Sequence, residues 1–314
     1  MAKFCALFLV IFIPLTLTAQ QPRSTQDFSK RGIERYTAGD YEGAIRDFTM
    51  EIRLTSALEV DTRELLRSYS DGSTLQQNFG AIRAIDPRTA GAYVNRGNAF
   101  FATNRMSEAI EDYNRAIAIR RGMKEAYVCR GSARLILKEF AAAEADYSQA
   151  LKIDPKYVKA LVGRAMVRFD KAEHKLAFED FDLAISLEPK NHDAWQARGE
   201  AKSRSGDHDG ALSDFERALA IEPDDPMALL GRGTIRLNRR EYAKAVDDFT
   251  RTVELDPRLA QGYRNLGYAF YAQGRFDEAE AYFSKALDLA PRFRDEIISN
   301  KTLMDKARRE GKAP

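Results

Sequence analysis

The sequence predicts an all-α solenoid of about eight stacked antiparallel helical hairpins with a C-terminal capping helix, and three observations predict it. An Arg-Gly pair or a close variant recurs every 34 residues, at Arg96-Gly97, Arg130-Gly131, Arg164-Ala165, Arg198-Gly199, Arg232-Gly233 and Leu266-Gly267. A fixed period of this length marks a repeat array, in which each unit buries its apolar face against its neighbours. Within each period the apolar positions advance by three or four, the stripe of an amphipathic helix. Proline closes five periods, at Pro155, Pro189, Pro223, Pro257 and Pro291, and it cannot continue a helical hydrogen-bond ladder.

Counting slots from Ala90, Lys124, Val158, His192, Pro226 and Ala260 aligns the units. Slot 4 holds Tyr93, Tyr127, Leu161, Trp195, Leu229 and Tyr263. Slot 20 is Ala in all six, and slot 24 holds Tyr113, Tyr147, Phe181, Phe215, Phe249 and Phe283. Small residues at slots 8 and 20 allow two helix backbones to approach closely. Gly206 and Gly274 at slot 15 punctuate the turn inside the hairpin.

The unit resembles the tetratricopeptide repeat, whose pattern also combines an aromatic, a Gly, two Ala, a Phe or Tyr and a closing Pro within 34 residues. The resemblance covers roughly residues 25–293, within an array assigned to 20–293. An earlier unit starts near Thr25, with Arg31-Gly32, Gly39, Tyr41, Ala44 and Phe48 in register. A degenerate unit starts near Ser56; it ends well, with Phe79, Ile82, Ile85 and Pro87, but Thr62-Arg63 replaces Arg-Gly. Its start lies out of phase with Thr25, so a distorted or lengthened hairpin is expected there. Residues 294–314 break the pattern, and Ile297, Ile298, Leu303 and Met304 among charged neighbours predict a capping helix with a tail after Arg309. The family implies a right-handed solenoid.

The first residues read as an export address. Lys3 precedes the uncharged run Phe4 to Leu17, and Thr18-Ala19-Gln20 follows, so 1–19 is expected to be a signal peptide cut after Ala19. Fourteen residues are too few to span a bilayer comfortably, where about 17–25 are needed, which favours a cleaved signal over the alternative, an uncleaved anchor. The mature chain is then expected to be periplasmic or secreted, with Cys129 its one thiol and no internal disulfide.

Composition narrows the function classes. The chain has 49 basic and 47 acidic residues, a formal charge of +2, with both signs mixed along its length. That balance argues against a nucleic-acid partner and leaves only indirect membrane contact. No zinc-helix motif, Gly-rich phosphate loop or nucleophile elbow is present, so no catalytic residue, metal or cofactor is expected. Of the three histidines, His174 and His208 share slot 17, where they stand in for a packing ring.

One pattern departs from the family consensus. Slot 7 carries Arg31, Arg96, Arg130, Arg164, Arg198 and Arg232, while slot 23 carries Asp47, Asp112, Asp146, Asp180, Asp214 and Asp248. The last repeat breaks both together, with Leu266 and Tyr282, and so does the degenerate unit, with Thr62 and Asn78. Covariation between copies in one chain predicts a structural ion-pair ladder within each hairpin, although shared descent of the repeats would leave the same trace without contact.

The resemblance also implies that first helices line a concave groove through slots 2, 5, 6, 9, 12 and 13. Its candidate ligand residues here are Asn95, Asn98, Phe101, Val128, Leu135, Met166, Phe169, Gln196, Glu200, Arg264, Tyr268 and Tyr271. Family members that clamp a terminal carboxylate use Lys at slot 5 and Asn at slot 9; Asn98 fits the second position, but Val94 fills the first. A non-catalytic scaffold for a protein or peptide partner is therefore expected. The competing expectation is an accessory subunit of an envelope secretion or polysaccharide-export machine, whose glycan would stack on Tyr268, Tyr271 or Trp195.

Overall fold

The structure, a computed structural model, describes residues 24–68 and 87–310. The expected signal peptide, the second half of the degenerate unit and the last four residues lie outside the described residues. Among the described residues there are fifteen α-helices and no strand, and no helix is long and apolar enough to cross a membrane. The chain is an α-solenoid that divides into two compact units, 1–129 and 130–314.

The first unit contains α1 (Thr25–Thr37), α2 (Tyr41–Ser68), α3 (Pro87–Ala102), α4 (Met106–Ile119) and the start of α5 (Lys124–Ile136). Ser24 opens α1 with a reciprocal cap: its hydroxyl accepts from the Asp27 amide, and the Asp27 carboxylate accepts from the Ser24 amide. Helices α1 and α2 form one hairpin, α3 and α4 a second, and α2 packs on α3. Helix α2 is the longest of the described helices. Residues 56–68 continue it to 28 residues instead of opening a new unit. The physical reason is that Ser56 occupies the closing slot of the first unit, where the other units place Pro155 or its equivalents, so nothing ends the helix.

The second unit continues α5 and adds α6 (Phe140–Ile153), α7 (Val158–Asp170), α8 (His174–Leu187), α9 (His192–Arg204), α10 (His208–Ile221), α11 (Pro226–Asn238), α12 (Tyr242–Leu255), α13 (Ala260–Ala272) and α14 (Phe276–Leu289). A 3-10 turn, Pro291–Phe293, leads into the capping helix α15 (Arg294–Glu310). Phe293 and Ile297 are buried in the same cluster as Phe270 and Phe283, which seats α15 on the last hairpin.

The core is periodic because the slots are. Ala109, Ala143, Ala177, Ala211, Ala245 and Ala279 at slot 20 are all fully buried. The slot 24 rings fill the space between helices, and slot 8 fits under them. A Cβ on Gly97 would lie 2.6 Å from the Tyr113 ring, and one on Gly267 would lie 2.5 Å from Phe283. Slot 6 of the following repeat closes over the same ring: a Cβ on Gly163 would reach within 2.3 Å of Tyr147. The hairpin turn has its own signature. Among the described residues the seven with positive φ, Gly39, Asn104, Lys138, Ala172, Gly206, Arg240 and Gly274, all stand at slot 15. Glycine adopts that conformation freely, whereas Ala172 and Arg240 adopt it against steric preference.

Candidate interaction face

The ladder residues meet within every hairpin that carries them. Arg31 donates to Asp47 at 2.9 and 2.5 Å, Arg96 to Asp112 at 2.7 Å twice, and Arg130 to Asp146 at 3.0 and 2.5 Å. Arg164 donates to Asp180 at 2.8 and 2.7 Å, Arg198 to Asp214 at 2.8 Å twice, and Arg232 to Asp248 at 3.1 and 2.7 Å. Each contact is bidentate, through Nε and one terminal nitrogen, the geometry in which a guanidinium fork matches a carboxylate. The aspartates are buried, while the arginines keep some contact with solvent. Burial alone would lower the pKa of Arg96 and Arg198, but the bonds and charges of Asp112 and Asp214 more than offset it and raise both.

A second basic residue, one helical turn later at slot 11, completes the motif. Arg35, Arg134, Arg168, Lys202 and Arg236 bond the same carboxylates, at 3.0, 2.8, 2.9, 2.9 and 2.8 Å. The repeat from Ala90 has Phe100 there, and Arg96 lies over that ring at 5.7 Å. The last repeat replaces the whole motif with apolar packing: Leu266 is fully buried, and Phe270 stacks on Tyr282 with centroids 5.3 Å apart.

The ladder uses one stripe of each first helix, and beside it most residues of slots 5, 9 and 12 are half-buried, with Val94 and Phe169 buried and Ile33 exposed. Phe101, Val128, Leu135, Gln196 and Glu200 are among the half-buried residues. Asn98 is as well, but its side-chain oxygen accepts from the Tyr113 hydroxyl at 2.9 Å. The Ser132 and Tyr147 hydroxyls also hydrogen-bond, at 3.0 Å with either as donor, so polar slot 9 residues serve the tyrosines of slot 24. Met166 packs partly against the core.

Three expectations need correction. Phe169 is 5 % exposed, closed in by the His174 ring at 4.6 Å, by Phe178 and by the Arg204 guanidinium at 4.7 Å, so it belongs to the core. Slot 6 is not open throughout: Ala197 and Asn265 are buried, and at Gly163 and Gly231 the slot lies against the preceding repeat's ring. Asn95 differs by standing half-buried beside a pocket of the first unit. The C-terminal Arg and Tyr cluster is covered by the cap. Arg264 meets Glu296 at 3.4 Å and lies over Phe293, while the Tyr268 hydroxyl donates to Glu296 at 2.6 Å. Tyr271 packs against Phe276.

The rings named for glycan stacking are similarly engaged. Trp195 donates to the Pro189 carbonyl at 2.9 Å and carries Arg198 over its face at 4.9 Å. Among the described residues no group of three His, Cys, Asp or Glu side chains could hold a metal ion.

Comparison with known proteins accords with this geometry. Models of the tetratricopeptide repeat match residues 90–122, 125–157, 197–260 and 260–293, together just over half of the chain. No curated protein sequence matches. Among solved structures, a tetratricopeptide repeat protein from Parabacteroides merdae is similar over 89 % of this chain and 98 % of its own, at 18 % identity and a TM-score of 0.60. Yeast Tom70 is similar over 96 % of this chain and 68 % of its own, at 19 % identity and a TM-score of 0.59. The APC/C hetero-tetramer Cut9–Hcn1 gives 85 % and 54 % coverage, 13 % identity and a TM-score of 0.60. At these identities the likeness is one of fold. The repeat matches and the hairpin geometry together place the chain in the tetratricopeptide-repeat family, a family of protein-interaction scaffolds.

Proposed function

We propose that the chain is an exported, non-catalytic scaffold that holds a peptide or protein segment along its first helices. The observation that carries this reading is the half-buried stripe of slots 5, 9 and 12 beside the ion-pair ladder. Within the second unit its side chains mix Leu135 and Met166 with Gln196 and Glu200, all half-buried. A surface of apolar contact with scattered polar groups suits a polypeptide segment. Export rests on Lys3, the run Phe4 to Leu17 and Ala19. The glycan-handling alternative is less well supported, since Trp195 and Tyr268 are held by protein groups.

A photo-crosslinking residue placed at Gln196 or Glu200 is expected to trap a partner polypeptide in the native compartment. The same probe at Leu183, exposed on a second helix, is expected not to. Equal labelling from both faces would refute the assignment. N-terminal sequencing tests export separately, and an intact Phe4–Leu17 on a protein that stays inside the cell would sink it.

A further inference from the structure

The first unit holds one side chain that the repeat pattern does not explain. Slot 27 is Ala116, Ala150, Ala184, Ala218, Thr252 and Ala286 in six repeats, all fully buried. The first unit places Glu51 there, 8 % exposed, on α2. Ser29 hydrogen-bonds its carboxyl, but Oε2 is buried and has no hydrogen-bond partner. A carboxyl left this way is costly, so a fold that prefers Ala at this slot gains nothing from it by itself.

The carboxyl borders a pocket of about 250 Å³ between α1, α2 and α3. Its other polar lining groups are the hydroxyls of Thr25, Ser29 and Thr55 and the amides of Gln26 and Asn95, all able to accept, and the Arg88 guanidinium. Thr55 donates its hydroxyl hydrogen to the Glu51 and Ile52 carbonyls at 2.9 Å, which leaves its oxygen lone pairs to accept. Gly91 keeps one wall open: a Cβ there would meet nothing within 4 Å. The geometry points to a binding site for a primary ammonium, the side chain of a lysine in the bound polypeptide, with Glu51 as its counter-ion.

Three arguments narrow the ligand. A single carboxylate supplies one negative charge, too little for a divalent cation that takes six or more oxygens, several of them charged. An ammonium brings three donors, which match Oε2, Thr55 and Asn95. Lysine carries its charge at the end of a four-carbon stem, long enough to bring it past the exposed Arg88 side chain to a recessed carboxyl. The stem can lie along Gly91. This site rests on the reading that the protein binds a polypeptide, and it specifies what the first unit selects in that polypeptide.

Binding is expected to depend on pH. Burial pushes the Glu51 carboxyl up from 4.5 to about 7, partly countered by Ser29. The charged groups facing it are few: α3 contributes Arg88, and α1 lines the pocket with uncharged side chains only. An ammonium selects the ionised carboxylate, so affinity rises with pH, by about 30-fold between pH 5.5 and 8 for a group titrating near 7.

The test is an NMR titration of the full chain with isotopically labelled glutamate. The probe is the blocked peptide acetyl-Gly-Gly-Lys-Gly-Gly-amide, compared with its lysine-acetylated form and with tetraglycine amide bearing a free N-terminus. Saturable shifts at Glu51 are expected with the lysine peptide alone, weakening at low pH. Glu51→Gln and Gly91→Met should each abolish the pH-dependent binding, the second by filling the pocket while leaving the carboxyl in place. Glu51→Ala restores the residue of the other repeats and keeps the test open if Glu51→Gln fails to fold. Equal response to acetylated peptide, preference for the free N-terminus, binding that survives in both variants, or no response to any peptide would overturn the proposal. Crosslinking at Gln196 and Glu200 lies in the other unit, so the scaffold reading can survive that failure.

Discussion

Replacing Asp180 with Ala is expected to cost more than losing either arginine that binds it. Its side chain is 7 % exposed and accepts three charge-assisted bonds, at 2.8 and 2.7 Å from Arg164 and 2.9 Å from Arg168. Without it, Arg168 retains Glu144 at 3.0 Å, but Arg164, 19 % exposed, faces its partner helix with no carboxylate. Breaking a well-buried pair from one side costs about 3–5 kcal/mol and an exposed pair is worth about 0–1, so the partial exposure of Arg164 places Asp180→Ala at about 3 kcal/mol. Arg164→Ala removes two of the three bonds and leaves Asp180 paired with Arg168, for a loss of about 2 kcal/mol. Urea unfolding of the four proteins of the Arg164/Asp180 cycle should give a coupling of about 2 kcal/mol, because the double variant costs little more than Asp180→Ala. Arg164→Leu combined with Asp180→Tyr copies Leu266 and Tyr282 of the last repeat and should recover part of the loss. Additive single losses, or a cost for Asp180→Ala below about 1 kcal/mol, would show that the carboxylate contributes nothing beyond its surface neighbours.

Other outcomes follow from the same structure. Glu51 is predicted to make stability fall with pH: its folded pKa of about 7 lies above the unfolded 4.5, so the chain loses stability as pH rises from 4.5 through 7. Glu51→Ala should remove that slope in pH-dependent thermal unfolding and gain about 2–3 kcal/mol at pH 8, the full shift being discounted because the carboxyl borders an open pocket. A stability gap that does not widen with pH would refute it. Ala172→Gly should raise the unfolding free energy by about 1 kcal/mol in urea titration, since it relieves a left-handed turn residue, and a loss would contradict that strain. Gly267→Ala should lower it by about 1–3 kcal/mol through collision with Phe283, whereas Gly131→Ala, whose Cβ would sit 3.1 Å from Tyr147, should be tolerated nearly as Ala165 is. Phe293→Ala should loosen α15 at a cost of about 3–5 kcal/mol, read as faster hydrogen exchange in residues 294–299 than in α9.

The repeat period, the helix stripes and the turns were legible because each is a local property repeated along the chain. The pairing of slots 7 and 23 was legible for a different reason: Leu266 and Tyr282 change together. The same logic reaches slot 11, where Phe100 and Phe270 interrupt a basic series, but a basic residue on a helix surface carries no distinctive signal until its partner is located. Slot 6 is hard to assign from a helix wheel because the wheel describes one repeat, while Gly163 and Gly231 lie against the ring of the repeat before them and Asn265 donates to Thr234 there. Phe169 was misassigned similarly, since Arg204, which covers it, comes from the next repeat. The extension of α2 reflects a missing stop at Ser56, a signal present as an absence. Glu51 stands out in the alignment as the one acid at slot 27, yet only the packing shows that its oxygen lacks a partner.

The carboxylate shared by two cations has a consequence for how the array can change in length. Interior repeats carry interchangeable halves of one lock, so a 34-residue cassette cut between Arg164 and Arg198 can be duplicated or deleted without stranding a charge. The terminal hairpin is keyed otherwise: Leu266, Phe270 and Tyr282 offer a greasy seat that no arginine-bearing helix can occupy without burying an unmatched cation. A cassette boundary inside the last hairpin, joining an arginine-bearing first helix to the Tyr282 helix, is therefore disfavoured, whereas boundaries between slots 7 and 23 of ladder repeats are not.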